Sequence, residues 1–456
     1  MVYSSSSGKL TLIALALFLY SCTNNDLGTR ISIPLTPCAS NVLTGYTDKM
    51  SYFPGDKVEV FLQSDNSFEC DLGVYDVQGN LIFKGGISLF PQAVSSDEPW
   101  RKGFNFMGNG KITLPSTLSS GVYFIENKIP FVVKSTGVSD VTVIYPFNTI
   151  NAYTNSGGKS LYGFNSSNSV ASPVVSFHRP MNNTVEESDC TECLKWFPSL
   201  SNVKVSYITD LDLDDDYSSI EQSKVIVVMG HSEYWSLAAR ENFDRRVQEG
   251  GHAVILSGNT MWWQVRYAGT RDALICYKDG LLDPEPVPTL KTILWADPTL
   301  QYSILSSIGA DFNHGGYGLQ PDKGWNGFKI SNPASPLLEG TSLQRGDVLD
   351  LPSDECDGAA IASWDPDGFP VLDNSQLQFA KLELIGFDRG ARAGNDTTPT
   401  FIVMQKTNTS GIVVNVGSLS WCSSSGMGNA TSGDRVKMIT QNAIVKLLGG
   451  ANVFTN

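Results

Sequence analysis

The rhythm of hydrophobic and polar positions changes near residue 137. Upstream, Val58, Val60 and Leu62 alternate with Lys57, Glu59 and Phe61, the period-two pattern of a strand with one buried face. Turn signals recur at Pro54-Gly55-Asp56, Gln78-Gly79-Asn80 and Gly108-Asn109-Gly110, a spacing that suits short antiparallel strands. The pattern predicts a β-sandwich over residues 41–136. Only Tyr123, near its end, stands out there as a chemical candidate.

Downstream, Val141 to Tyr145, Val203 to Ile208, Val225 to Met229, Ala253 to Leu256 and Ile412 to Val416 are continuous apolar runs, as expected of strands buried on both faces. Between the third and fourth, Ala239, Phe243 and Val247 repeat every fourth residue from Ser236 onward, and Gly250-Gly251 ends the pattern. That is a strand, helix, strand unit of the parallel kind. Val436, Ile439, Ala443 and Leu447 mark a last helix closed by Gly449-Gly450. The fold class is therefore α/β: residues 137–456 form an α/β domain on a mainly parallel sheet, with long irregular insertions near 270–400.

At the N-terminus, Lys9 precedes the apolar run Leu10 to Tyr20, too short for a membrane span and of the length of a signal peptide. Leu19-Tyr20-Ser21-Cys22 resembles the lipobox of bacterial lipoproteins. Residues 1–21 then read as a lipoprotein signal peptide, Cys22 as the lipidated residue and 22–40 as a tether, so the expected setting is the bacterial cell envelope, with a membrane partner through the lipid. A net charge of −14 disfavours nucleic acid as a partner. Of eight cysteines, Cys22 would carry lipid and seven remain, an odd number that argues against a complete disulfide framework. Cys190 and Cys193 form a C-x-x-C and are expected to make a local disulfide; Cys276 and Cys422, among apolar neighbours, are expected to be buried thiols.

Polar and aromatic clusters follow the predicted strands. Gly230-His231-Ser232-Glu233-Tyr234-Trp235 sits at the carboxyl end of one, where open α/β sheets place ligands. Asn151 to Tyr162 contains Gly157-Gly158-Lys159-Ser160 between Tyr153 and Tyr162, without the spacing of a phosphate loop. Thr209 to Asp216 carries alternating carboxylates but lacks the glycine and terminal glutamate of an EF-hand, and reads as a solvated acidic loop. Asn259 occupies the turn where amidotransferase-like proteins carry a cysteine nucleophile, so thiol chemistry is disfavoured. Four histidines, without H-E-x-x-H or H-x-H spacing, give little support to a zinc centre. Tyr153, Tyr162, Glu233 and Tyr234 remain as hard oxygen donors of a kind that suits Fe(III).

These motifs, with Ser120-Gly121-Val122-Tyr123, Ser176-Phe177-His178-Arg179-Pro180, Thr209-Asp210-Leu211-Asp212-Leu213, Cys276-Tyr277-Lys278 and Gly417-Ser418-Leu419-Ser420-Trp421-Cys422, occur in an order that resembles the large (beta) subunit of N,N-dimethylformamidase. The resemblance runs from about residue 45 to 450. It implies an amidotransferase-like (flavodoxin-like) α/β domain and hydrolysis of an amide or related C–N bond at a mononuclear iron, Fe(III), held by two tyrosines and one glutamate. Carried over by motif, Glu233 and Tyr153 are ligands, Tyr123 the second tyrosine and Tyr162 its reserve. His231 would orient a bound water or take its proton, and Glu383 would relay a proton to the leaving amine. Tyr234, Trp235, Trp262 and Trp263 would line a largely apolar pocket for a small neutral substrate, with Asn259 a further substrate-binding residue. The chain departs from the family's usual Gly-His-Asp-Glu-Tyr-Trp at Ser232. Neither a small subunit nor a cytoplasmic setting follows from the resemblance, and a homo-oligomer is left open. The alternative function is a noncatalytic envelope lipoprotein that binds a glycan or peptide through the same aromatics.

Overall fold

In the computed structural model the described residues are 36–38, 41–181, 184–318, 324–351, 354–375 and 377–455. The chain divides into Met1–Pro34 and Leu35–Asn456. The expected signal peptide, Cys22 and most of the tether lie outside the described residues, and none of the described helices is long and apolar enough to cross a membrane.

Alternation in the first segment produces two sheets. One joins Thr36–Pro37, Phe68–Tyr75, Gly121–Ile125, Ile129–Val133 and Ser51–Tyr52 in that order, with Leu81–Leu89 on Phe68–Tyr75; the other joins Thr44–Thr47, Lys57–Gln63 and Gly110–Thr113. Val58, Val60 and Leu62 are fully buried and meet Leu72, Val74, Ile125, Phe131 and Val133 between the sheets. At about 1.5–3 kcal/mol for each such side chain, this face supplies the driving force for the sandwich. Polar contacts join it to the α/β part: Lys134 Nζ and Ser51 Oγ each lie 2.7 Å from Asp212 Oδ1, and Tyr207 N donates to Ser120 Oγ.

The apolar runs build one nine-stranded sheet. Val205–Thr209, Val141–Tyr145, Val225–Gly230, His252–Ser257 and Ile412–Asn415 lie side by side and parallel. Successive residues face different cores: Val225, Val227 and Met229 meet helix Gly433–Leu448, while Ile226 and Val228 meet helix Leu237–Gln248. Ser236 caps the latter helix by accepting from Ala239 N.

The sheet is parallel over only half its width. Thr400–Gln405, Lys381–Phe387, Gly327–Ile330 and Val348–Asp350 extend it antiparallel. These strands come from the region expected to be irregular. Gly327–Ile330 and Val348–Asp350 are four and three residues long, and Lys381 to Leu384 are only half-buried, so these three lack the continuous apolar signature that marked the parallel strands. Thr400–Gln405 carries the buried apolar run Phe401 to Met404, which the reading of the sequence did not single out.

Two further expectations are corrected. The disulfides are Cys38–Cys70 and Cys193–Cys422; the C-x-x-C does not close on itself, and Cys422 is a bridged cysteine, while Cys276 is a buried thiol as expected. The acidic segment is the helix Asp210–Asp215, closed by a capping box between Thr209 and Asp212. Its carboxylates are used structurally: Asp210 accepts from Asn148 N, and Asp214 accepts from Ser236 Oγ and pairs with Arg271.

Non-reducing peptide mapping is expected to recover a Cys193–Cys422 cross-link and no Cys190–Cys193 species. Cys193→Ser is expected to cost about 2–5 kcal/mol in denaturant unfolding.

Candidate functional site

The parallel half of the sheet brings its loops together at one edge. Val225–Gly230 ends on Gly230, whose φ is +64° and where a Cβ would fall 2.4 Å from Cys190 Sγ. Only glycine allows both the turn and the close approach. The next three residues, His231, Ser232 and Glu233, are buried and pinned from several sides. Ser232 N donates to Ser257 Oγ, Glu233 N to Thr149 Oγ1, Met261 N to Ser232 O and Trp263 N to Glu233 O. Tyr234–Ser236 then pairs in parallel with Trp263–Tyr267.

The tyrosines arrive from the neighbouring strand. Tyr153 ends the helix Phe147–Tyr153 that follows Val141–Tyr145. Tyr162 lies on the loop beyond it, which fully buried Arg179 holds by donating to Asn151 O and Oδ1, Ser156 O and Lys159 O. Gly157 (φ +82°) sits against the Trp100 backbone, where a Cβ would fall 2.8 Å from Trp100 N.

Three oxygens therefore converge. Tyr162 OH donates to Glu233 Oε1 at 2.7 Å, Tyr153 OH to Glu233 Oε2 at 2.9 Å, and the phenol oxygens are 3.1 Å apart. Burial first, then the adjacent Glu233 charge, raises both phenols well above their ordinary value of 10. Burial also raises Glu233, opposed by His231 and Lys278.

A second carboxylate completes the cluster. Glu355, on the strand Glu355–Gly358, places Oε2 3.1 Å from His231 Nε2, while Glu233 Oε2 is 3.5 Å from the same nitrogen. Burial pulls the His231 imidazolium down, but Glu355 and then Glu233 outweigh it and the group rises to about 10. Burial pushes Glu355 up, and His231 and Asn259 outweigh that, so it stays a carboxylate below its usual range. Asn259 Nδ2 donates to Glu355 Oε2 at 2.9 Å. Lys278 Nζ sits 3.1 Å over the Tyr162 ring, and the exposed Phe164 ring lies beside both tyrosines.

Of the residues singled out in the sequence, Tyr153, Tyr162, Glu233, His231, Tyr234 and Asn259 meet here. Tyr123 does not. It lies in the sandwich core, donates to Ser119 O and packs on Phe131, beside a separate cavity of about 750 Å3. The short Ser-Gly-Val-Tyr match placed it by order along the chain, whereas the fold puts the reserve residue Tyr162 against Glu233. Glu383 is also elsewhere, on Lys381–Phe387, accepting from Thr455 N; Glu355 occupies the place assigned to it. Trp235 is buried against Phe243 and Trp262 against Phe312, so both belong to the core and not to a pocket wall. Glu355 and Lys278 were missed. Glu355 stands in no motif, and its only sequence signal is one carboxylate among several in Asp354-Glu355-Cys356-Asp357. Lys278 was legible as part of Cys276-Tyr277-Lys278 but carried no assigned role.

Among the described residues no group of three or more His, Cys, Asp or Glu is placed to hold a metal; the phenols add donors of another type. Two phenol oxygens and a carboxylate within 3.1 Å of one another are a hard-oxygen donor set, and it fits Fe(III). A sandwich joined to a mixed α/β sheet, with a buried phenol–carboxylate centre at the carboxyl ends of its parallel strands, defines the class. The chain belongs to the N,N-dimethylformamidase beta subunit-like, C-terminal family, whose sequence model matches residues 89–431, and amide hydrolysis is the chemistry that this family suggests. No curated protein matches the chain. Solved structures similar to it include a putative thua-like protein from Bacteroides uniformis ATCC 8492 (13% identity, 71% of this chain and 98% of that one, TM-score 0.34). Another is a beta-galactosidase from Bacillus circulans sp. alkalophilus (14% identity, 69% of this chain and 32% of that one, TM-score 0.34). At that level of likeness neither bears on the assignment.

The pairing around His231 has a measurable consequence in the metal-free protein. Its raised pKa contributes stability that is complete below the unfolded value of about 6.5 and is lost as pH rises through about 10. An NMR titration is expected to show His231 protonated at neutral pH, and Glu355→Gln is expected to lower its midpoint. A neutral His231 at pH 7 in the unmodified chain would contradict the geometry.

Proposed function

We propose that the chain hydrolyses an amide or related C–N bond in a small substrate at the Glu233 cluster, with Tyr153, Tyr162 and Glu233 as the ligands of an iron ion. The observation that carries this reading is the meeting of two phenols on one buried carboxylate in a chain of this family. Bound there, ferric iron would supply a Lewis acid that activates water and polarises a carbonyl.

The remaining roles follow from the protonation states. Because its pKa is raised to about 10, His231 already carries its proton near neutral pH. We therefore assign it the role of donor, beside the roles expected from sequence of orienting a bound water or taking its proton. Glu355 is kept ionised, so its Oε2 is the group able to accept a proton from an attacking water. His231 Nε2, 3.1 Å away, then returns a proton to the departing amine nitrogen. Asn259 fixes the rotamer of Glu355 through Nδ2. Tyr234, whose ring is 6.5 Å from those of both tyrosines, closes the apolar side.

A glycan- or peptide-binding protein would call for an exposed aromatic groove without clustered donors; here Trp235 and Trp262 are core residues and the donors cluster. The envelope setting rests on Leu19-Tyr20-Ser21-Cys22 alone.

The purified chain loaded with iron is expected to hold one equivalent and to show a phenolate-to-iron absorption band. Tyr162→Phe should weaken and shift the band because Tyr153 still supplies a phenolate, the Tyr153→Phe/Tyr162→Phe double variant should lose it, and Tyr123→Phe should leave it unchanged. In a screen of small formamides and acetamides, Glu355→Gln and His231→Ala are expected to reduce kcat by about 10²–10⁴. A band unchanged in Tyr162→Phe, or hydrolysis undiminished in Glu233→Gln, would remove the reading.

A further inference from the structure

The most unusual group beside this centre is the Lys278 ammonium. Its Nζ is buried, has no hydrogen-bond partner, and forms no ion pair among the described residues. It lies 3.1 Å from the Tyr162 ring centre, 5.0 Å from that of Trp263 and 5.2 Å from that of Tyr234. Other cations of the fold are answered by oxygen. Half-buried Lys134 meets Asp212, half-buried Arg266 meets Asp283, and fully buried Arg179 meets backbone carbonyls. Trp263 Nε1, on the ring that flanks Lys278, is also buried without an acceptor. Lys278 further holds a φ of +59°, a conformation that L residues seldom keep without a functional or packing reason.

Two orphaned donors on neighbouring side chains, Lys278 Nζ lying 5.0 Å from the centre of the ring that carries Trp263 Nε1, leave a gap in the bonding. We infer that Lys278 Nζ and Trp263 Nε1 form a subsite for a carboxylate carried by the substrate, whose amide lies at the Tyr153–Tyr162–Glu233 centre. The substrate class is then an N-acylated amino acid or a similar amide acid, and not the small neutral molecule expected from sequence.

This inference rests on the proposed function, and charge counting strengthens it. In the metal-free chain the ammonium faces Glu233; were that carboxylate and two phenolates to balance a trivalent ion, the ammonium would be left without an anion. A monoanion restores balance, and its planar pair of oxygens suits two donors set among aromatic rings.

The test is calorimetric binding to the full chain, metal-free and iron-loaded, with N-acetylglycine and its neutral analogue N-acetylglycinamide. The acid is expected to bind the iron-loaded chain about tenfold or more tightly than the amide, the scale of a hydrogen bond to a charged group. In Lys278→Met, which keeps the apolar stem over Tyr162, that preference should vanish; in Trp263→Phe it should shrink several-fold. Lys278→Gln replaces the methionine variant if its melting curve shows that it does not fold. Equal binding of acid and amide to the iron-loaded chain, or a preference that survives loss of the ammonium, overturns the subsite. Hydrolysis of a neutral formamide, assayed on the same preparations, reports separately on the proposed function. An acid preference without any hydrolysis would retain the subsite and reject the enzyme.

Discussion

The structure is organised around a carboxylate that has been taken out of water. Glu233 is 1% exposed, and an isolated charge in such a place is too costly to persist unless protonated or compensated. Here the compensation comes from both sides: two phenol protons point at its oxygens, and His231 and Lys278 stand near it as cations. Each compensating group is itself buried and needs its own support. Glu355 balances His231, Asn259 steadies Glu355, and Arg179 ties down the loop that presents Tyr162. Removing any one of them leaves a buried polar group unpaired, and this interdependence makes the cluster a unit.

The sheet explains how such a unit can be held in place. Its parallel strands carry their loops to one edge, and the two central connections after Val225–Gly230 and His252–Ser257 are fastened to each other by backbone hydrogen bonds. Backbone conformations that side-chain-bearing residues seldom adopt gather at this edge: Asn259, Met261 and Lys278 all have positive φ. Such positions persist where surrounding packing determines them. The second carboxylate comes from elsewhere. The strand Glu355–Gly358 belongs to a separate four-stranded sheet with Gly316–Gly318, Gly390–Arg392 and Asn395–Thr397, and supplies Glu355 from a distant part of the sequence.

That difference accounts for what the sequence could reveal. The five parallel strands, the helices at 237–248 and 433–448, and the motif around Glu233 were legible because each is local: an apolar run, a four-residue repeat or a compact cluster at a strand end. Alternation at Val58, Val60 and Leu62 likewise read correctly as one buried face. The antiparallel half was not legible: Gly327–Ile330 and Val348–Asp350 are too short to show a period, Lys381–Phe387 is half-buried over its first four residues, and the apolar run Phe401 to Met404 does not announce the direction of its neighbours. Disulfide pairing failed for the same reason, because Cys193 and Cys422 are 229 residues apart and nothing local favours that partner over Cys190. Tyr123 and Glu383 failed as site residues because chain order was used in place of contact, and contact is what the fold decides.

The errors in assigning roles were of another kind. His231 was legible as a neighbour of Glu233, but its direction as acid or base depends on a second carboxylate that no motif announces. Beside one carboxylate alone, burial and charge attraction pull an imidazole in opposite directions, and the sequence does not say which prevails. Glu355 tips the balance toward the protonated imidazole, and the proposed division of labour, with the histidine as donor and the glutamate as acceptor, rests on that pairing. Lys278 extends the same logic outward. Under the proposed function, a centre whose donors cancelled the charge of a trivalent ion would leave its buried neighbour without an anion, and the charge that organises the cluster would then also govern what a substrate must bring to it.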